Sequence, residues 1–129
     1  MSVGLLDTSI FIATEAGRPL ATGDLPEESA VSVITVAELR WGVLNAVDVD
    51  TRSRRLDTLH DALTLEPVPV DDRVAAAWAL LRQQLRAAGI RMDANDAWIA
   101  ATAIAHHYPV VTQDAGFPDT ISGLSIIRA

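Results

Sequence analysis

The sequence has no cysteine among its 129 residues. This absence excludes disulfide bonds, thiolate metal ligands and cysteine nucleophiles, and it is typical of a protein from a reducing compartment. Long apolar runs are also missing, since none approaches the roughly 18 residues of a membrane-spanning helix. The first residues lack the basic, apolar and small-residue segments of a signal peptide. We therefore expect a soluble, cytoplasmic protein with no membrane association, in which any metal is held by oxygen or imidazole.

Lysine is absent too, so all ten basic residues are arginines, against 17 acidic residues and a formal net charge of −7. This excess of acid argues at first against a nucleic-acid partner, because phosphate binding usually relies on a basic surface. Two groups of arginines stand out, Arg52, Arg54 and Arg55, and then Arg82, Arg86 and Arg91. Solvated helix faces account for each single arginine. Guanidinium groups also bind phosphate in a bidentate manner, which a local groove can use whatever the overall charge.

Half of the residues (50%) are hydrophobic, which is enough for one domain with a substantial core. Strand-like and helix-like segments alternate along the chain, with a polar loop over residues 18–29. Strands are predicted at residues 3–6, 30–34, 67–70, 109–112 and 124–127. Helices are predicted at residues 10–13, 35–47, 50–65, 72–88 and 94–106. The alternation predicts an α/β fold of three layers, α/β/α, with a central parallel sheet in a single domain over residues 1–129.

Four acidic residues fall where such a fold brings side chains to one edge of the sheet. Asp7 and Asp114 follow predicted strands, while Glu38 and Asp96 lie near the starts of predicted helices. The carboxyl ends of parallel strands meet at a common edge, and ligands of open α/β sheets bind there. The pattern therefore predicts an acidic cluster.

Local structural roles are available for several acids taken singly. Asp7 and Asp93 can each cap the helix that follows, and Glu38 can form a capping box with Thr35. Separate local roles for acids that all converge on one edge are the less economical explanation. Trp41 and Trp78 are predicted as core residues.

Four carboxylates close together repel one another, and without a cation at least one of them would have to stay protonated. A divalent ion removes this cost. Oxygen ligands with no cysteine or histidine in reach favour Mg²⁺ or Mn²⁺ over zinc. Such a site suits hydrolysis of phosphodiester bonds, because the metal activates a bound water and neutralises charge on the leaving oxygen.

Four blocks of sequence carry a resemblance to a known family. They are Leu-Asp-Thr-Ser at residues 6–9, Thr-Val-Ala-Glu-Leu-Arg-Trp-Gly at 35–42, Asn-Asp-Ala-Trp-Ile-Ala-Ala-Thr-Ala at 95–103, and Val-Val-Thr-Gln-Asp-Ala-Gly-Phe at 110–117. In these blocks, which follow the family's order and span nearly the whole chain, the sequence resembles the PIN-domain ribonucleases. The resemblance is greatest to the VapC-type toxins of bacterial toxin–antitoxin pairs.

The resemblance implies a metal-dependent endoribonuclease. It implies that Asp7, Glu38 and Asp96 bind the metal and that Asp114 is a fourth acid on the same ion or on a second one.

Thr112 matches a hydroxyl position beside the family's site and is expected to orient the metal ligands. Asp93 matches a polar position that can reach the metal or its water. The resemblance further implies a homodimer, cleavage of single-stranded regions in structured RNA, and inhibition by a cognate VapB-type antitoxin whose tail occupies the groove.

Other protein classes share parts of this pattern. Response-regulator receivers and haloacid-dehalogenase phosphatases both need a lysine, which this chain lacks, and the phosphatases need an aspartate where Ser9 stands. A DNA-cutting PIN nuclease is a closer alternative, although such relatives usually carry insertions over the substrate that 129 residues do not accommodate. A non-catalytic binding module on the same fold is the third alternative.

Overall fold

A computed structural model describes residues 2–21 and 23–129. Its strands are β1 (Val3–Leu6), β2 (Glu28–Val31), β3 (Val110–Thr112) and β4 (Ile126–Arg128). Its helices are α1 (Thr8–Glu15), α2 (Val33–Leu44), α3 (Val49–Leu63), α4 (Asp72–Ala88) and α5 (Ala94–His106). Met1 and Thr22, the latter in the loop predicted over residues 18–29, lie outside the described residues. Within these ranges no helix is both long and apolar enough to cross a lipid bilayer.

The four strands form one sheet in the order β2-β1-β3-β4, and every neighbouring pair is parallel. Parallel neighbours require crossover connections. Helix α1 lies between β1 and β2, and helices α2 to α5 lie between β2 and β3, whereas residues 113–125 between β3 and β4 contain no helix. The sheet places β1 and β3 side by side at its centre, so the residues that follow these two strands lie next to each other.

Successive strand residues face opposite sides of the sheet and build a separate core on each. Leu5 and Ala30 pack with residues of α4 and α5, whereas Leu6 and Val31 pack with residues of α1, α2 and α3. Side chains along a strand alternate between the two faces of a sheet, so a sheet covered by helices on both faces needs apolar residues at successive positions. The sheet is the middle layer of three, and the predicted α/β/α fold is confirmed.

The strand predicted at residues 67–70 is wrong. Val68 alone pairs with the sheet there: its amide donates to the Val31 carbonyl at 2.8 Å, and its carbonyl accepts from the Val33 amide at 3.0 Å. The residues on either side of Val68 are prolines, which have no N–H to extend the pairing. The segment is an isolated bridge at the edge beyond β2.

The boundary between β2 and α2 also differs from the prediction. Ser32 caps α2, and its Oγ accepts from the Ile34 amide at 3.0 Å. The helix therefore begins before Thr35, inside the predicted strand over residues 30–34, and the capping box between Thr35 and Glu38 is wrong. The Glu38 carboxylate is left free of any capping role and, as described below, faces the acids.

Helix α4 is capped at both ends. The Asp71 Oδ1 atom accepts from the Val74 amide at 3.0 Å at the start of α4. Gly89 ends the same helix in the left-handed conformation, with φ of 67°, that glycine adopts without steric cost.

Candidate metal centre

Three acidic side chains from separate parts of the chain meet at the carboxyl edge of the sheet. Asp7 directly follows β1, Asp114 lies two residues beyond β3, and Asp96 is in the first turn of α5. Since α5 leads back into β3, its amino-terminal turn is at the edge where the strands end. One carboxylate oxygen from each of the three lies within 4.8 Å of the others.

Asp7 is nearly inaccessible, with 2% of its surface exposed, and two hydroxyl groups hold its carboxylate. Ser9 Oγ donates to Oδ1 at 2.6 Å, and Thr112 Oγ1 donates to Oδ2 at 2.9 Å. Burial raises the pKa of Asp7 above its ordinary value, while these two hydrogen bonds oppose the rise. Asp7 stands at the N-cap position of α1 but makes no side-chain capping hydrogen bond. Helix capping therefore does not account for this carboxylate.

The two hydroxyl groups also fix the chain around Asp114. Thr112 Oγ1 accepts from the Asp114 amide at 2.8 Å, and Ser9 Oγ accepts from the Gln113 amide at 2.9 Å. The Thr112 and Ser9 oxygens lie 3.3 Å apart. A single network thus orients the Asp7 carboxylate and the start of the segment that carries Asp114.

Asp96 is partly buried and has no capping role, because Asp93 caps α5 by accepting from the Asn95 amide at 3.2 Å. The pKa of Asp96 is raised from 3.8 to about 7. Burial is the largest cause, followed by the negative charges of Asp114, Asp93, Asp7 and Glu38. This carboxyl group therefore holds a proton at a pH where an ordinary aspartate is fully ionised.

Glu38 lies beside the three acids rather than among them. Its Oε1 accepts from Thr8 Oγ1 at 2.6 Å, and the same hydroxyl is 3.1 Å from Thr35 Oγ1. The charge of Glu38 contributes to the raised pKa of Asp96, so it faces the same space. The structure thus brings Asp7, Asp96 and Asp114 together and holds Glu38 next to them.

Asp93 and Thr112, the two residues predicted to support the acids, differ in surroundings. Thr112 is fully buried between Asp7 and Asp114. Asp93 is exposed, and its carboxylate is occupied by the cap of α5.

Thr8, Ser9 and Gly116 have site roles that the sequence did not predict. The Gly116 amide donates to Asp114 Oδ1 at 2.8 Å, and a Cβ at this residue would lie 3.1 Å from that oxygen. The position of Thr8 and Ser9, on the first turn of a helix directly after Asp7, was the signal that could have indicated hydroxyl support. Gly116 looked like an ordinary turn residue, and its position 3.6 Å from Asp96 Oδ2, measured from a Cβ built on it, depends on the fold.

A groove of about 860 Å³ begins beside the acids and follows α2. Thr8 and Glu38 line its inner end together with Asn95 of α5, and Trp41 and Arg55 line its outer part. Trp41 is 68% exposed, so its prediction as a core residue is wrong. It stands three residues after Glu38 in the helix, and this spacing places both on one face of α2.

The donor set fits a hard divalent cation. The three clustered donors are all carboxylates, with no histidine in the group found among the described residues. Burial and, after it, the charges of the neighbouring acids raise the pKa of Asp96, and a bound cation would remove the repulsion between these charges. Mg²⁺ and Mn²⁺ prefer such oxygen ligands.

Residues 4–121 match the family described as the PIN domain. Ribonuclease VapC5 of Mycobacterium tuberculosis is 47% identical over 129 residues, which cover 98% of this chain and 96% of that protein. The crystal structure of VapBC-5 from M. tuberculosis, a member of the VapBC family of toxin–antitoxin systems, contains a chain that matches with a TM-score of 0.92 and 44% identity over 100% of both chains. The structure of FitAcB from Neisseria gonorrhoeae matches with a TM-score of 0.74 and 31% identity, covering 98% of this chain and 96% of that one. On its fold, its acidic cluster and these similarities, the chain belongs to the PIN-domain family and within it to the VapC-type proteins.

Proposed function

We propose that this protein is an Mg²⁺- or Mn²⁺-dependent endoribonuclease and the toxin of a toxin–antitoxin pair. The observation that carries the proposal is the convergence of Asp7, Asp96 and Asp114 within 4.8 Å. The relative named ribonuclease VapC5, which is similar over almost the whole chain, supports RNA as the substrate.

In this proposal Asp7, Asp96 and Asp114 hold the metal directly, and Glu38 completes the set from the groove side. When bound, the metal supplies an activated water and neutralises charge on the phosphate during hydrolysis. The protein holds the carboxylates in place beforehand. Thr112 and Ser9 fix the Asp7 carboxylate, and Thr8 fixes Glu38.

Asp93 has a different proposed role. Its carboxylate caps α5 and so fixes the helix turn that carries Asp96. Its negative charge also raises the pKa of Asp96 and attracts a cation to the site.

The groove along α2 is the proposed path for both the RNA and a VapB-type antitoxin. Its inner end opens at Glu38, and exposed apolar residues continue from its outer part: Trp41, Leu44, Val47 and Val49. An apolar surface of this kind is typical of a protein-binding site. Solved complexes of similar proteins are described as VapBC toxin–antitoxin systems, and by analogy we propose a cognate antitoxin here. We also propose a homodimer of this chain, which the resemblance to the VapC-type toxins implies.

The test is cleavage of total cellular RNA by purified protein, with Mg²⁺ or Mn²⁺ against EDTA. We expect discrete fragments that need the metal and that disappear with Asp96→Asn. Asp71→Asn is the matched control, since it removes one acidic charge outside the cluster while asparagine still caps α4.

Metal binding measured by calorimetry separates the possible failures. Metal binding without cleavage of any RNA would contradict the proposed ribonuclease activity but would still support the proposed metal site. Absence of metal binding in the wild type would overturn the proposal as a whole.

A further inference from the structure

The second group of arginines forms a pocket of about 430 Å³ between the end of α4 and the start of α5. Its lining residues are Arg82, Gln83, Leu85, Arg86, Ile90, Arg91, Met92 and Ala97. All three arginines are exposed, and none of the lining residues in the described part of the chain is acidic. In a protein with a net charge of −7, this pocket is a local concentration of positive charge.

Local roles account for only part of this concentration. Arg86 lies in the last turn of α4, where the helix dipole favours a cation. The Arg82 guanidinium lies 5.2 Å from the centre of the Trp78 ring, and Trp78 in turn stacks on Trp98 at 4.7 Å. Arg91 lies beyond the helix, and neither explanation applies to it. Three like charges around one pocket repel one another, and an anion relieves that repulsion.

The pocket adjoins the metal centre through α5. Ala97 lines the pocket, Asp96 precedes it, and Asn95 lines the groove along α2. At 3.6 residues per turn, Asn95 and Ala97 point in directions about 200° apart around the helix. The groove and the arginine pocket therefore lie on opposite sides of Asp96.

We propose that the pocket formed by Arg82, Arg86 and Arg91 binds a backbone phosphate of single-stranded RNA that passes from the groove across the metal centre. This inference rests on the proposed function and adds the part of the surface that holds the substrate beside the cleaved bond. Guanidinium groups bind phosphate oxygens in pairs of parallel hydrogen bonds, which makes arginine suited to this contact. An acidic chain needs such a contact, because repulsion between its carboxylates and the flanking phosphates opposes binding.

The test measures RNA binding in EDTA, where no cleavage takes place, by fluorescence anisotropy of a labelled single-stranded oligouridylate. Arg86→Gln with Arg91→Gln is the informative variant, because Arg82 also packs on Trp78. We expect binding at least about tenfold weaker than in the wild type. The slope of log affinity against log salt should fall by about 0.7, the value for one phosphate contact on a single strand.

The matched control is Arg52→Gln with Arg54→Gln, which removes two positive charges from exposed positions on α3. Equal loss of RNA binding in both double variants would mean that only net charge matters, and would overturn the proposal. Unchanged RNA binding in the variant with Arg86→Gln and Arg91→Gln would also overturn the proposal. The pocket would then bind an acidic protein segment or no ligand at all.

Cleavage assays on the same variants separate this inference from the proposed function. Metal-dependent cleavage with no effect of Arg86 and Arg91 on RNA binding would leave the ribonuclease standing and refute the pocket. Arginine-dependent RNA binding without cleavage at any metal concentration would support the pocket and refute the nuclease. In an active enzyme, the double variant should raise KM while leaving kcat nearly unchanged, since it removes a contact away from the reacting bond.

Discussion

Asp96 holds its proton because burial and neighbouring carboxylates oppose its ionisation, and this has a consequence for stability. Its pKa is about 7 in the folded protein against 3.8 as the ordinary value. Between these two values the folded state binds more protons than the unfolded state, so stability falls as pH rises through this window. The raised pKa of Asp7 acts in the same direction.

We therefore expect metal-free protein in EDTA to be less stable at about pH 8 than at about pH 5, and Asp96→Asn to reduce that difference. At about pH 8, Asp96→Asn should raise the free energy of unfolding by about 1–2 kcal/mol. This is less than the full pKa shift would imply, because Asp96 is only partly buried and solvent screens its charge. Urea unfolding at both pH values measures it, with Asp71→Asn as the control. If Asp96→Asn instead destabilised the protein at both pH values, Asp96 would have a structural role similar to that of a cap.

Thr112 offers a test of how the hydroxyl network supports metal binding. Thr112→Val keeps the shape of the side chain but removes the hydrogen bonds to Asp7 and to the Asp114 amide. We expect Mn²⁺ binding to weaken by about 10–100-fold, as for other groups that orient metal ligands. Calorimetric titration measures this.

Thr112→Ser keeps the hydroxyl and is the control, and it should retain most of the affinity. Equal losses in Thr112→Val and Thr112→Ser would point to packing of the methyl group rather than to the hydrogen bonds.

The acids of the site were predictable from sequence because strand ends and helix starts determine where they lie. The hydrogen-bond partners of those acids were not predictable from spacing, and Thr112 was expected only because of the resemblance to the family. Glu38 accepts from Thr8, which is 30 residues away, and Asp7 accepts from Thr112, which is 105 residues away. Such pairs form only when the strands are arranged side by side, and sequence spacing carries no information about that order. For the same reason the exposure of Trp41 was missed, since nothing local shows that α2 leaves this face uncovered.

At the level of the elements, β1 depends on a close approach that only glycine allows. A Cβ at Gly4 would lie 2.6 Å from Pro26 Cγ and 2.8 Å from Val111 Cγ2. Gly4→Ala should therefore push β1 away from β3 and lower the free energy of unfolding by about 1–3 kcal/mol. Thermal unfolding measures the loss.

Gly23→Ala is the control for this prediction, because a Cβ there meets no atom within 4 Å. Metal affinity should fall with Gly4→Ala as well, since β1 and β3 position Asp7 and Asp114. A stable Gly4→Ala protein with normal metal binding would mean that Pro26 moves aside without effect on the strands.

The elements that sequence predicted well have strong local signals. Helix α4 combines an N-cap at Asp71, apolar residues at helical spacing and a glycine at its end. The errors lie where local signals conflict. Val33 and Ile34 are strand-forming residues, yet the Ser32 cap begins the helix at Val33. The Pro-Val-Pro-Val run at 67–70 is a short apolar segment of the kind that forms an edge strand, but its prolines allow only one residue to pair.

For the whole molecule, the negative net charge and the proposed polyanionic substrate are compatible because charge is unevenly distributed. Three acids converge at the sheet edge with Glu38 beside them, where a cation would neutralise their charge. Three arginines line the pocket on the far side of Asp96 from the groove. The remaining surface can stay acidic, which disfavours binding of RNA anywhere else. We therefore expect RNA affinity to depend on a small part of the surface rather than on net charge.

The exposed apolar residues beyond the groove lead to the last prediction. Trp41 and Leu44 are 68% and 77% exposed on α2, at the three-residue spacing that an apolar partner could cover. We expect Trp41→Ser with Leu44→Ser to abolish co-purification of the VapB-type antitoxin, because the complex loses its apolar contact. The antitoxin is to be sought in the reading frame immediately upstream. Metal binding, measured by calorimetry, should persist, since neither residue belongs to the acidic cluster. Leu80→Ser is the control, as Leu80 is 56% exposed on α4. If the double variant kept the antitoxin but changed from dimer to monomer in light scattering, the surface would instead join two copies of this chain.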